Sequence, residues 1–370
     1  MQFQAFLDAH PDIAGHVRSL MLRHPMDDQS GGPDGRPDAS AITPQTLVRT
    51  AKRLPRLREC QFYFVHIVPS GTPTPDATTA EPLHAAPYPL IDLSVFHIFG
   101  SSHQETGPLL ELLSYFRMDR LELELVTFVQ EPATFPMPPA HFRRIEVRDI
   151  WADLDTADEE PIVILPALAS ALAPGILQAL HCSWKDWAGC ITVGNFLKDV
   201  GSTLTNLTLN MSVASWVEEL GSAIQREGWE CLNLGSCTAL RTFRVNVSLP
   251  LSCPLPDVPD VKRRVSSYRN LFSLLPSTVH TVIINAPTML RSSPPVLGGG
   301  RRSAARGQVP VDFSEIEHVL LDMPQMRRVV ISIRPAQNMR GAAATVSKSF
   351  PALLARGVLE VRTGAMPDVR

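Results

Sequence analysis

Leu204-Thr-Asn-Leu207-Thr-Leu209 and, 36 residues further on, Leu240-Arg-Thr-Phe243-Arg-Val245 spell the same pattern. Apolar residues take the first, fourth and sixth places and polar residues fill the gaps. Working outward, the block recurs at Val17-Arg-Ser-Leu20-Met-Leu22, Leu57-Arg-Glu-Cys60-Gln-Phe62 and Leu90-Ile-Asp-Leu93-Ser-Val95. It continues at Met118-Asp-Arg-Leu121-Glu-Leu123, Phe142-Arg-Arg-Ile145-Glu-Val147 and Leu177-Gln-Ala-Leu180-His-Cys182. Beyond the first pair it returns at Val279-His-Thr-Val282-Ile-Ile284 and Met326-Arg-Arg-Val329-Val-Ile331, with a fainter eleventh copy around Val358-Leu-Glu-Val361. Successive copies start 24 to 47 residues apart, room for one short strand and one returning helix or loop.

Several returns read as helices. Pro44 to Leu54 carries Leu47, Val48, Ala51 and Leu54 on one face; Pro108 to Phe116 carries Leu109, Leu112, Leu113 and Phe116; Phe313 to Met323 carries Ile316, Val319, Leu320 and Met323. Prolines at 55, 276 and 324 close such segments, because the residue before proline is driven out of helix. Strand, turn and helix repeated at this period predict an α/β fold: an irregular leucine-rich-repeat solenoid with parallel strands on its concave face and helices or loops on its convex face. A doubly wound α/β sheet alternates the same elements and is the structural alternative. The expected organisation is a single array of 10–11 repeats over residues 1–370, with proline- and glycine-rich loops near 27–44, 69–89, 250–264 and 290–310.

Composition narrows the function classes. The 370 residues are 44% hydrophobic and 19% charged with a formal net charge of −3, so no global field advertises nucleic acid or an anionic membrane. Residues 161–184 are uncharged over a span long enough to cross a bilayer. Pro161, Pro166, Pro174 and Gly175 interrupt that span, which reads instead as strand, short helix and strand. The six cysteines form no Cys-x-x-Cys pair and read as reduced, mostly buried thiols. With no secretory signal within Met1–Arg23, the expected location is cytoplasm or nucleus.

The opening Phe3-x-x-Phe6-Leu7-x-x-His10-Pro11-x-Ile13-x-x-x-Val17-Arg18-x-Leu20-x-Leu22 resembles the phrase that introduces the first repeat of fungal F-box/leucine-rich-repeat proteins. Leu54-Pro55-x-Leu57-Arg58, Leu109-Leu110-x-Leu112-Leu113-x-x-Phe116, Cys237-Thr-x-Leu240-Arg241-x-Phe243 and Leu274-Leu275-Pro276-Ser277 resemble later phrases of the same family. The resemblance covers the repeat region only; the F-box, a helical module of about 40 residues, would precede Met1. It implies a non-catalytic module like the substrate-binding part of an F-box ubiquitin-ligase receptor. It further implies a protein partner on the concave face, and a cullin adaptor as partner only if an F-box is restored upstream. A free-standing repeat scaffold unconnected to ubiquitin transfer is the alternative.

Motifs for chemistry do not assemble. There is no His-Glu-x-x-His and no Gly-x-Ser-x-Gly, and Gly298-Gly299-Gly300-Arg301-Arg302-Ser303 lacks the Gly-Lys-Ser/Thr of a nucleotide loop. The run Asp149–Glu160 reads as a solvated acidic loop, and Lys262-Arg263-Arg264 as a short basic cluster. No enzyme, cofactor or metal is expected, and an α/β enzyme with scattered strand-end residues is the reading of another class. In a repeat with places one, four and six buried, places three, five and seven face outward. The partner-binding residues read this way are Glu122, Glu124, Arg144, Glu146, Arg148, His181, Asn206, Thr208, Asn210, Arg244 and Asn246. Ile283, Val330 and Phe96 fall on the same face and would expose apolar area there.

Overall fold

A computed structural model describes residues 2–24, 41–69, 89–103, 106–128, 143–153, 164–184, 186–211, 228–247, 252–254, 258–286, 308–333 and 342–363. Most of the expected loops at 27–44, 69–89 and 290–310 lie outside these residues. Among the described residues the chain is mixed α/β, and eleven strands form one large sheet. They are β1 (Ser19–Arg23), β3 (Glu59–Tyr63), β5 (Ile91–Phe99), β7 (Phe116–Glu124), β9 (Glu146–Asp153), β10 (Ala179–Trp184), β11 (Asn206–Met211), β12 (Thr242–Asn246), β14 (Thr281–Asn285), β16 (Arg328–Ile333) and β17 (Leu359–Thr363). Every strand lies beside its predecessor and successor in the chain, and the registers resolved between neighbours are parallel. A doubly wound sheet reverses its strand order at a switch point; this one does not.

The six-residue block owes its shape to one backbone device. Side chains alternate along a regular strand, so burying places one, four and six requires one change of parity. Two consecutive amides, at places two and three, donate to a single carbonyl at place two of the preceding strand. Thus Arg58 and Glu59 donate to Arg18 O (2.7 and 3.1 Å), Ser94 and Val95 to Arg58 O (2.7 and 3.2 Å), and Arg241 and Thr242 to Thr205 O (2.9 and 3.0 Å). His280 and Thr281 donate likewise to Arg241 O, and Arg327 and Arg328 to His280 O. Pairing correspondingly skips Ser94, Asp119 and Arg148 between registered neighbours. The shared carbonyl turns both strands together, with one residue skipped in each, and resets which side chains point inward.

The chain divides into two compact units, Met1–Cys182 and Ser183–Arg370. In the first, Leu57, Cys60 and Phe62, then Met118, Leu121 and Leu123, then Leu177, Leu180 and Cys182 are buried, as the block requires. Helices Pro44–Lys52, Gly107–Leu113 and Ile164–Ala171 bury Leu47, Val48 and Ala51, then Leu109, Leu112 and Leu113, then Leu165 and Leu168. Each fully buried side chain of this size contributes about 1.5–3 kcal/mol. Thr43 caps the first helix, its hydroxyl accepting from Thr46 N at 3.3 Å.

A second device closes the strands of this unit. Phe64, Gly100 and Leu125, each at the eighth place of its repeat, have φ of 58°, 61° and 53°. That left-handed residue ends the strand and admits a minor one: β4 (His66–Ile67), β6 (Ser102–His103) and β8 (Thr127–Phe128). β4 pairs with β2 (Ala41–Ile42), and β6 with β8.

Two of the ten clear repeats sit in a different frame from the expected one, and the fainter eleventh is displaced too, its Val361 standing opposite Ile331 at place six rather than at place four. Leu93, Phe96 and Ile98 are the buried set of β5, three residues later than Leu90-Leu93-Val95, and Phe96 is core rather than face. Val147, Ile150 and Ala152 are the buried set of β9, five residues later than Phe142-Ile145-Val147. Asp149–Asp153, expected as acidic loop, is therefore strand.

In the second unit, Leu204, Leu207 and Leu209, Leu240, Phe243 and Val245, Val279, Val282 and Ile284, and Met326, Val329 and Ile331 occupy the core in the expected frame. Helix Trp187–Val200 is capped by Asp186, which accepts from Gly189 N at 2.8 Å. Its Gly194 lies against the short turn Trp229–Leu232, and Asn233, left-handed at φ 51°, donates from Nδ2 to Gly194 O at 3.1 Å. Residues 258–264, expected as loop, begin helix Val258–Ser273, so Lys262-Arg263-Arg264 lies on that helix. A two-stranded antiparallel pair, β13 (Ser252–Pro254) with β15 (Gln308–Pro310), completes the unit's sheets among the described residues. Helix Ser314–Asp322 includes Ile316 and Leu320, both buried.

Candidate functional site

The parity change puts places three, five and seven of the first unit on the side of the strands away from the core. Register aligns them in rows. Place five gives Gln61, His97, Glu122 and Trp151; place seven gives Tyr63, Phe99, Glu124 and Asp153; place three gives Glu59, Val95, Arg120 and Asp149. His181 holds place five of β10.

Most of these side chains form one connected cluster, from Tyr63 and Phe99 through His97 to Trp151 and His181. Trp151 stacks on His181 with ring centroids 4.1 Å apart and 24° between planes, and the Arg120 guanidinium lies 4.8 Å from the indole centroid. Asp149 ties the group together. Its Oδ2 accepts from Trp151 Nε1 at 2.8 Å and lies 3.3 Å from Arg120 Nε, while its Oδ1 is 3.4 Å from His181 Nε2. Arg120 also lies 3.5 Å from Glu122 Oε1. Across the strand, His97 Nδ1 is 4.0 Å from Glu122 Oε2 and His97 Nε2 is 3.8 Å from Glu124 Oε1. Tyr63 stands edge-on to His97 at 5.5 Å, with Phe99 5.8 Å from the same tyrosine ring.

The cluster is acidic. Glu122, Glu124 and Asp149 supply three negative charges and Arg120 one positive, leaving −2 with both imidazoles neutral and 0 with both protonated. His97, Glu122 and Asp149 expose only 13%, 18% and 19% of their side chains. Electrostatics here are screened less than at an open surface.

The expected site residues divide. Glu122, Glu124 and His181 are in the cluster. Arg144, Glu146 and Arg148 are not, because the β9 frame moves places three, five and seven to Asp149, Trp151 and Asp153. Arg144 instead donates to Ser170 O. Glu146 accepts from Arg117 at 2.8 Å and sits 3.7 Å from Arg143, while Arg148 pairs at 3.5 Å with Asp119 where the strands turn. The Glu146 partnership raises the Arg117 guanidinium above its ordinary range. The residues missed were His97, Asp149 and Trp151. Counting back seven places from Gly100 would have set the β5 frame, and Val147-Arg-Asp-Ile150-Trp-Ala152 fits the block once alanine is admitted at place six.

Compared with known proteins, the chain matches no family model and no curated protein.

In the second unit the expected residues keep their frame. Asn210, Asn246 and Asn285 stand opposite one another at place seven. Asn246 donates to Asn210 Oδ1 at 2.7 Å and accepts from Asn285 Nδ2 at 2.8 Å, making an amide ladder over three strands. Asn206 donates to Thr205 Oγ1 at 3.0 Å, and Thr208 stands opposite Arg244. Burial, then the neighbouring charge of Arg362, pull the Arg244 guanidinium below its ordinary range. Ile283 is half-buried and Val330 is buried, so this row offers less apolar exposure than expected.

Proposed function

We propose that the protein is a non-catalytic recognition module of leucine-rich-repeat type, which holds a polypeptide partner against the outward face of its parallel strands. The observation that carries this reading is the row structure. Successive repeats present functional side chains in register, with rigid aromatic rings set among charged and amide groups. Such a surface recognises an extended chain through many small contacts, with Trp, Tyr and Arg as the side chains best suited to dominate. In the first unit Trp151, Tyr63 and Arg120 take that part; in the second, Arg244 and the amide ladder take it.

The module serves as the substrate-binding part of a ubiquitin-ligase receptor where an F-box accompanies it, and as a free-standing scaffold where none does. The helices fill the core and the strands keep their functional groups outward, an arrangement suited to binding without chemistry.

The test combines proximity labelling in cells with two triple variants. W151A/E122Q/H181A alters the strand face; R49A/K52A/R53A alters a helix remote from it in sequence. The reading expects a defined set of labelled proteins to be lost with the first variant and retained with the second. Equal retention in both would overturn it. Pull-down of purified cullin adaptor by the longest transcript product separates receptor from scaffold.

A further inference from the structure

We propose that His97, Glu122 and Glu124 bind a first-row divalent transition ion of the zinc or manganese class, pinning β5 to β7. One donor atom from each residue lies within 4.8 Å of the others. The strands prepare this set: His97 stands directly opposite Glu122, and Glu124 lies two residues on, hence on the same face. His97 Nε2 is buried without a hydrogen bond, although Glu124 Oε1 is 3.8 Å away. That gap is too long for a hydrogen bond. Two donors on one tetrahedral ion at about 2.0–2.1 Å sit about 3.4 Å apart. Glu124 faces Nε2 and Glu122 faces Nδ1, and an ion takes only one of these nitrogens, so both glutamates turn to close donor gaps of at most 4.8 Å.

Charge and selectivity agree. The group around these donors carries −2 with neutral imidazoles, a poorly solvated excess that a divalent cation cancels. Arg120 approaches Glu122 through Oε1, while Oε2 is the oxygen nearer His97, so the guanidinium orients the carboxylate without taking its inner oxygen. One imidazole nitrogen with two carboxylates suits zinc or manganese; calcium and magnesium prefer all-oxygen shells. Three protein donors leave an open coordination position, and Glu124, 45% exposed, lies on the solvent side of the set. An ion here is independent of whether the strand face holds a polypeptide.

The test uses the full chain in a C231S background, because Cys190 Sγ and Cys231 Sγ lie 3.4 Å apart and thiols compete for the same metals. Chelator-treated protein is titrated with Co²⁺, followed by its visible absorption, and with Zn²⁺ and Mn²⁺ by calorimetry, with Mg²⁺ and Ca²⁺ as controls. One equivalent should bind and raise the thermal midpoint. H97A and E124Q, each shown folded by circular dichroism, should weaken binding by about tenfold or more, and H318A, an exposed histidine on helix Ser314–Asp322 outside the cluster, should leave it unchanged. Absence of saturable binding overturns the proposal, as does binding indifferent to H97A and E124Q. A thermal midpoint unmoved by any of these metals equally refutes it.

Discussion

Gly194 lies within helix Trp187–Val200, where alanine is ordinarily better by about 1 kcal/mol. In this helix G194A should do the opposite. A β-carbon added there falls 1.7 Å from the Cys231 carbonyl oxygen and 2.8 Å from Leu232 Cα, both backbone atoms that no side-chain rotation can move. Reaching an acceptable separation of about 3.2 Å means parting helix and turn by about 1.5 Å. That motion stretches the hydrogen bond from Asn233 Nδ2 to Gly194 O, now 3.1 Å. Overpacking costs about 1–3 kcal/mol and the lost bond about 1 more, against about 1 gained in helix propensity. The net expectation is a loss of about 2 kcal/mol. Four of the five tryptophans fall within Ser183–Arg370, so urea unfolding followed by fluorescence reports mainly on this unit. Gly235, in the same unit and with nothing within 4 Å of an added methyl, is the control, and G235A should be neutral or mildly stabilising. A G194A protein that unfolds at or above the wild-type midpoint would refute the close approach of helix and turn.

Other expectations follow from the same geometry. Burial pushes the Cys60 and Cys237 thiols up to about 12 from an ordinary value of 9.0, so both are protonated in the fold. Their contribution to stability is whole below pH 9 and is lost as pH rises through 12, by about 1.4 kcal/mol per thiol at pH 10. Urea midpoints at pH 8 and pH 10 should diverge less in C60A than in wild type; equal divergence counts against the assignment. N246A removes both rungs of the amide ladder and strands the buried Asn285 amide, an expected loss of about 1–3 kcal/mol by denaturant titration. An effect below about 0.5 kcal/mol, the size of an ordinary surface change, would show the ladder to carry no weight in the fold. L125G relieves a left-handed leucine at φ 53° that is 40% exposed, so the variant should match or exceed wild-type stability despite the added glycine. A clear loss would mean that the Leu125 side chain holds the strand end.

The strands were legible because burial writes itself into sequence as apolar spacing. Most copies of the block fall in the observed frame, and the helices at Pro44–Lys52, Gly107–Leu113 and Ser314–Asp322 follow from their apolar stripes. The two misplaced frames have one cause: a long strand with its lead-in carries enough apolar residues for the block to fit twice. Leu90, Leu93 and Val95 mimic it three residues early, and Phe142, Ile145 and Val147 five residues early. What decides the frame is backbone, namely the doubled donation at places two and three and the left-handed residue at place eight. Only Gly100 among Phe64, Gly100 and Leu125 declares that conformation by its identity. The candidate site inherited the slip: Glu122, Glu124 and His181 were readable, whereas His97, Asp149 and Trp151 became visible only once their strands were placed.

The order of the strands in the sheet repeats their order in the chain, and this has a mechanical consequence. A protein whose first and last strands pair with each other resists stretching until one rupture releases everything. Within the eleven-stranded sheet of the described residues each strand pairs only with the sheet strand before or after it in the chain, so a load applied at the two ends should peel the repeats off singly. Force–extension traces should show a train of small, similar steps, each returning about one repeat's length of chain.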